Sequence, residues 1–117
     1  MIQIEQLRLG NWFESNEKYY QVQGIKPPGV IIADDNLNYY APGFCNPIPL
    51  TPELLEKCGF ANNGQGIFDH PTWGSYLYPR NGAYLVSHVE GVAVKHVHQL
   101  QNLFFALTGE VLTINLK

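Results

Sequence analysis

The sequence predicts an α+β fold in which small antiparallel sheets pack with two helices, the longer one near the C-terminus. Three observations carry that prediction. Short apolar and aromatic stretches are separated by turn formers such as Ser15-Asn16-Glu17 and Asn81-Gly82, the pattern of hairpins. Val97, Leu100, Leu103, Phe104 and Leu107 fall on one arc at about 100° per residue, the stripe of an amphipathic helix. A shorter helix is bracketed by Thr51-Pro52 before it and Gly59 after it. With 117 residues, 45% hydrophobic and only 15% charged, the chain has the size of a single domain, 1–117, and enough apolar side chains for a core.

The first hairpin is expected between Leu7 and Ile25, as the segments LRLGNWFE and KYYQVQGI. Pro27-Pro28-Gly29 cannot continue a ladder, and a second hairpin of Val30–Ala33 and Leu37–Tyr40 follows around Asp34-Asp35-Asn36. The first forty residues then form a small curled sheet, SH3-like in pattern. APGFCNPIPL, residues 41–50, holds three prolines and reads as an irregular connector. In the helix Pro52–Cys58, Thr51 is the N-cap, Pro52 suits the first position, Glu53 and Glu56 favour the amino-terminal end, and Gly59 with Phe60 supplies a Schellman ending.

Asn62–Gly66 is expected as a flexible loop, with no helix after it to make a phosphate cradle. Extended segments follow near Ile67–Asp69, Gly74–Tyr78, Ala83–Val89 and Val92–Lys95, with Asn81-Gly82 at the tip of a hairpin. The long helix, Val97–Thr108, closes at Gly109. No Ser, Thr, Asp or Asn precedes it, so His96 or water must serve the first amides. Val111–Leu116, VLTINL, alternates with period two and reads as a half-buried strand.

Seven basic against ten acidic residues give a net charge of -3, which argues against a nucleic-acid partner bound through its phosphates. The amino terminus shows no basic stretch followed by an apolar run, and no window approaches the ~20 apolar residues of a membrane span, so a cytoplasmic protein without membrane attachment is expected. Cys45 and Cys58 form no C-x-x-C pair and read as buried thiols. No metal or cofactor set is indicated.

Two groups of residues stand out as binding surfaces. Trp73, Tyr76, Tyr78 and Arg80 are close in sequence, and an arginine beside aromatic rings suits a small nucleotide-like ligand, clamped by stacking and phosphate pairing. His98, Gln101, Asn102 and Phe105 share a second flank of the long helix and would present two amides and an apolar anchor to a partner. Against catalysis, no nucleophile motif accompanies the histidines; a hydrolase or transferase would have to use His70, His88 and Asp69.

Three segments, LRLGNWF (Leu7–Phe13), NPIPLTPELLEKCGF (Asn46–Phe60) and VHQLQNLFFALTGEVL (Val97–Leu112), together resemble a family of small uncharacterised proteins encoded in Bacteroidetes genomes and in their phages and prophages; they cover about a third of the chain. The resemblance implies an accessory protein of phage or mobile-element origin and transfers no site. The function expected is a non-enzymatic binding module, able to form a homo-oligomer, that acts on a host protein or sequesters a small nucleotide-like ligand. The alternatives are the hydrolase or transferase above and an SH3-like nucleic-acid-binding module.

Overall fold

The computed structural model describes residues 7–26, 30–33, 38–40, 44–87, 91–114 and 116. They form two compact units, one ending at Ile48 and one spanning Pro49–Leu116. The class is α+β, with antiparallel sheets and two helices.

The first unit is a four-stranded antiparallel meander, β1 (Trp12–Ser15), β2 (Lys18–Lys26), β3 (Val30–Ala33) and β4 (Asn38–Tyr40), in sequential order. Ser15 pairs with Lys18, so the β1–β2 turn is the two residues Asn16 and Glu17, at φ 51° and 65°. That left-handed pair twists with the strands it joins. Gln23 is an extra residue between the pairs Val22–Ala33 and Gly24–Ile32, a bulge that bends β2. The tyrosine doublet splits as a strand requires: Tyr20 packs on the core of Leu7, Phe13, Val22, Ile31 and Cys45, while Tyr19 is exposed. Tyr20, Tyr40 and Phe13 form a triangle of rings with centroids 5.1 to 5.9 Å apart.

The proline-rich connector is tied down more than its composition indicates. Asn46 exchanges backbone hydrogen bonds with Glu14 at 2.9 and 2.8 Å, on the side of β1 away from β2. Within the second unit, Leu50 N–H donates to the Lys95 carbonyl at 2.8 Å, which joins the segments leading into the two helices.

Helix α1 (Pro52–Lys57) has the ends its sequence specifies. Thr51 Oγ1 accepts from Leu54 N–H at 3.2 Å. At the other end Phe60 N–H donates to the Leu55 carbonyl and Gly59 N–H to that of Glu56, the two bonds of a Schellman ending, with Gly59 at φ +92°.

A five-stranded antiparallel sheet follows: β5 (Ala61–Asn62), β6 (Phe68–Asp69), β7 (Tyr76–Arg80), β8 (Ala83–Val86) and β9 (Ala93–Val94). Phe68, Leu77 and Val86 lie in register across β6, β7 and β8 and are buried, so this face is the core side. Asn81 and Gly82, at φ 52° and 79°, make the tight β7–β8 turn. The loop after β5 is less free than expected. Asn62 Oδ1 accepts from Gly64 N–H at 2.8 Å and Gly66 N–H at 3.3 Å, and Asn63 Oδ1 from Gln65 N–H at 2.8 Å and Ile67 N–H at 3.3 Å.

Helix α2 (Val97–Thr108) ends on Gly109 at φ 75°. Gln99, in its first turn, reaches back to the residues before it: its Oε1 accepts from the backbone N–H of Lys95 at 2.9 Å and of the N-cap His96 at 3.1 Å. This is the reciprocal half of a capping box. The buried arc is Val97, His98, Leu100, Gln101 and Phe104, rotated from the expected stripe so that Leu107 is 45% exposed. The strand expected at Val111–Leu116 is corrected: Val111–Ile114 belongs to no ladder among the described residues. Its burial still alternates, with Leu112 and Ile114 inside and Val111 and Thr113 outside.

Gly59 and Gly64 separate two effects on stability. Both have φ near +90°, but a Cβ at Gly59 would lie 3.2 Å from His70 Nε2, whereas one at Gly64 meets nothing within 4 Å. Gly64→Ala should cost about 1 kcal/mol from backbone strain alone, and Gly59→Ala measurably more, in urea denaturation. Equal losses would mean that His70 shifts freely.

Candidate functional site

Strand alternation places Tyr76, Tyr78 and Arg80 on one face of β7, opposite the buried Leu77. This is the outward face of the five-stranded sheet. Asp69 stands opposite Tyr76 and is exposed; Leu85, half-buried, stands opposite Tyr78. Tyr76 is 38% exposed, and its ring lies 6.2 Å from that of Tyr78 at an interplanar angle of 50°. Ser87 fixes the outer end of this row. Its Oγ accepts from Tyr76 N–H at 2.8 Å, and its own N–H donates to the Tyr76 carbonyl at 2.9 Å.

Trp73 does not join them. It is 7% exposed and packs edge-on against Phe60 and Phe104, with centroids 5.6 and 5.9 Å away. A tryptophan in a loop carries no sequence mark of which way its ring turns, and here burial of the indole is the stronger force.

The helix flank His98, Gln101, Asn102 and Phe105 is divided by burial. His98 is 2% exposed and Gln101 7%, Asn102 is half-buried, and only Phe105, at 55%, is open. These four side chains therefore form no continuous accessible surface. Neither ring nitrogen of His98 has a hydrogen-bond partner among the described residues, and the ring stacks on His96 at 5.9 Å. Burial, reinforced by the neighbouring His96, pushes its pKa down to about 4.

The residues of the catalytic alternative are engaged elsewhere or lie outside the described chain. His88 is among the residues not described. His70 Nδ1 accepts from Thr72 N–H at 3.3 Å and lies 3.1 Å from Thr72 Oγ1. Its other nitrogen sits beside Gly59, and the ring is hydrogen-bonded to the Cys58 backbone. Burial lowers its pKa, opposed by the Cys58 bond and by Glu110. Burial also raises Cys45 to about 11 and Cys58 to about 12, so both thiols stay protonated at neutral pH.

Beside His70 the structure opens a cleft of about 150 Å³ that sequence reasoning missed, lined by Cys58, His70, Thr72, Phe104 and residues 110–113. Its parts come from three separated stretches, so no local pattern announces it. Among the described residues no cluster of three or more His, Cys, Asp or Glu is arranged for a metal, and no helix is long and apolar enough to cross a membrane. The chain matches no family model, no curated protein and no solved structure.

The His98 shift fixes the sign of a pH dependence. The unfolded chain takes up the proton near pH 6.5 and the folded chain only near 4, so between these values unfolding binds the proton. The stabilisation is full above about pH 6.5 and is lost as pH falls toward 4, by roughly 3 kcal/mol. Urea denaturation across this range should show His98→Leu less acid-sensitive than the wild type; parallel pH curves would refute the assignment. A thiol reagent at pH 8 should react with Cys45 and Cys58 only as fast as the protein opens, and immediate labelling would contradict their burial.

Proposed function

We propose that this chain is a non-enzymatic binding module whose contact surface is the outward sheet face carrying Tyr76, Tyr78 and Arg80. The observation that carries the reading is their i, i+2, i+4 alignment on β7, with two adjacent tyrosine rings beside an exposed arginine. Tyrosine and arginine dominate the energetics of protein interfaces because each offers a large amphipathic contact at modest entropic cost. Two tyrosine rings and an arginine in a row along a strand form an extended contact of the kind a protein partner uses.

The chemistry of the other polar groups supports binding over turnover: the thiols are protonated and both nitrogens of His70 are occupied. The asparagine side chains of the 62–66 loop take up the amides that a phosphate would need. The resemblance of three segments to proteins of Bacteroidetes and their phages supports an accessory role in a phage or mobile element, acting on a host protein in the cytoplasm.

Capture from a bacterial lysate with immobilised wild type, against a Tyr76→Ala/Tyr78→Ala/Arg80→Ala variant, tests this reading. The wild type should retain a protein that the variant binds at least about thirtyfold more weakly, at an unchanged melting temperature. A partner held equally by the variant would exclude this face; stabilisation by nucleotides without any protein partner would exchange the ligand class.

A further inference from the structure

The cleft beside His70 plays no part in the sheet-face reading, and its electrostatics are one-sided. Of its lining groups, the Cys58 thiol is held neutral by burial, burial likewise favours neutral His70, and Thr72 is uncharged. Glu110 is the one charged side chain there and has no ion-pair partner among the described residues. Its position is fixed from the backbone, since Glu110 N–H donates to Thr108 Oγ1 at 3.0 Å just past the end of α2. The apolar part of the lining includes Phe104, buried, and Val111, 71% exposed.

At about 150 Å³ the cleft is smaller than the roughly 300–1,000 Å³ of sites that enclose a drug-sized ligand, and is of the size to take one side chain. An apolar margin beside a lone carboxylate matches a side chain with an aliphatic stem and a cationic head. We infer that this cleft receives a single lysine or arginine side chain presented by a protein partner. The inference rests on the protein-partner reading but shares none of its residues.

The isolated chain can be titrated with butylammonium and propylguanidinium, with neutral pentanamide and anionic pentanoate as controls, while backbone amide shifts are followed by NMR. The cations should shift the amides of His70, Phe104 and residues 110–113, saturating in the roughly 10–100 mM range expected of so small a ligand. Glu110→Gln should weaken the cations about threefold at low salt, as for an exposed ion pair, and Glu110→Lys should transfer the preference to pentanoate. Glu110 is exposed, so neither change threatens the fold. Equal shifts with pentanamide, undiminished cation binding by Glu110→Gln, or no response at these residues would overturn the inference. Because the probes act on the chain alone, this outcome is independent of what the tyrosine-face variants do to protein capture.

Discussion

Four rings hold the second unit together. Phe60 and Phe104 each meet both His70 and Trp73 edge to face, with centroid separations of 4.8 to 5.9 Å. Each such contact adds about 1 kcal/mol beyond the area it buries, but only if the rings keep their tilt. Their positions are set by distant devices: the Schellman ending of α1 aims Phe60, the hydrogen bonds to Thr72 and Cys58 orient His70, and α2 carries Phe104. Gly59 serves two of these at once. Its positive φ closes the helix, and its missing side chain lets the imidazole approach.

A constraint of this kind explains why the conspicuous polar groups of the second unit are structural. Backbone N–H groups that no ladder or helix pairs find side-chain acceptors close at hand, in exposed loops as well as at a helix start. His70 is used to hold a loop, Asn62 and Asn63 to order a turn, and Gln99 to cap a helix. His98 and Trp73 depart from the pattern: both are buried, and neither nitrogen of the neutral imidazole nor the indole Nε1 is bonded among the described residues. The outward sheet face and the small cleft beside Glu110 are open to solvent.

The candidate site was legible in part. Tyr76, Tyr78 and Arg80 stand close in sequence, but their alignment on one strand face came with the structure, in which β7 runs to Arg80, two residues past the expected Tyr78 end, because the turn takes only Asn81 and Gly82. Trp73 was grouped with them by proximity alone, and proximity in a loop says nothing about direction. On α2 the helix and both its limits followed from periodicity and Gly109, yet the accessible flank did not. Two adjacent arcs of a helix differ only in what packs against them, and the buried one took in His98 and Gln101 while Leu107 was left outside.

The sequence by itself determined the elements: the Asn16-Glu17 and Asn81-Gly82 turns, the doubly punctuated α1, the extent of α2 and the period-two burial of Val111–Ile114. Each is encoded within a few residues, by a left-handed conformation, a cap or a repeat. The tertiary structure alone decided that Val111–Ile114 would join no described ladder, that His70 and Trp73 would interlock with Phe60 and Phe104, and that Glu110 would line a cleft with His70. Those outcomes depend on contacts between residues far apart in the chain. Burial energy there is shared among many side chains, and no local pattern records how it is divided.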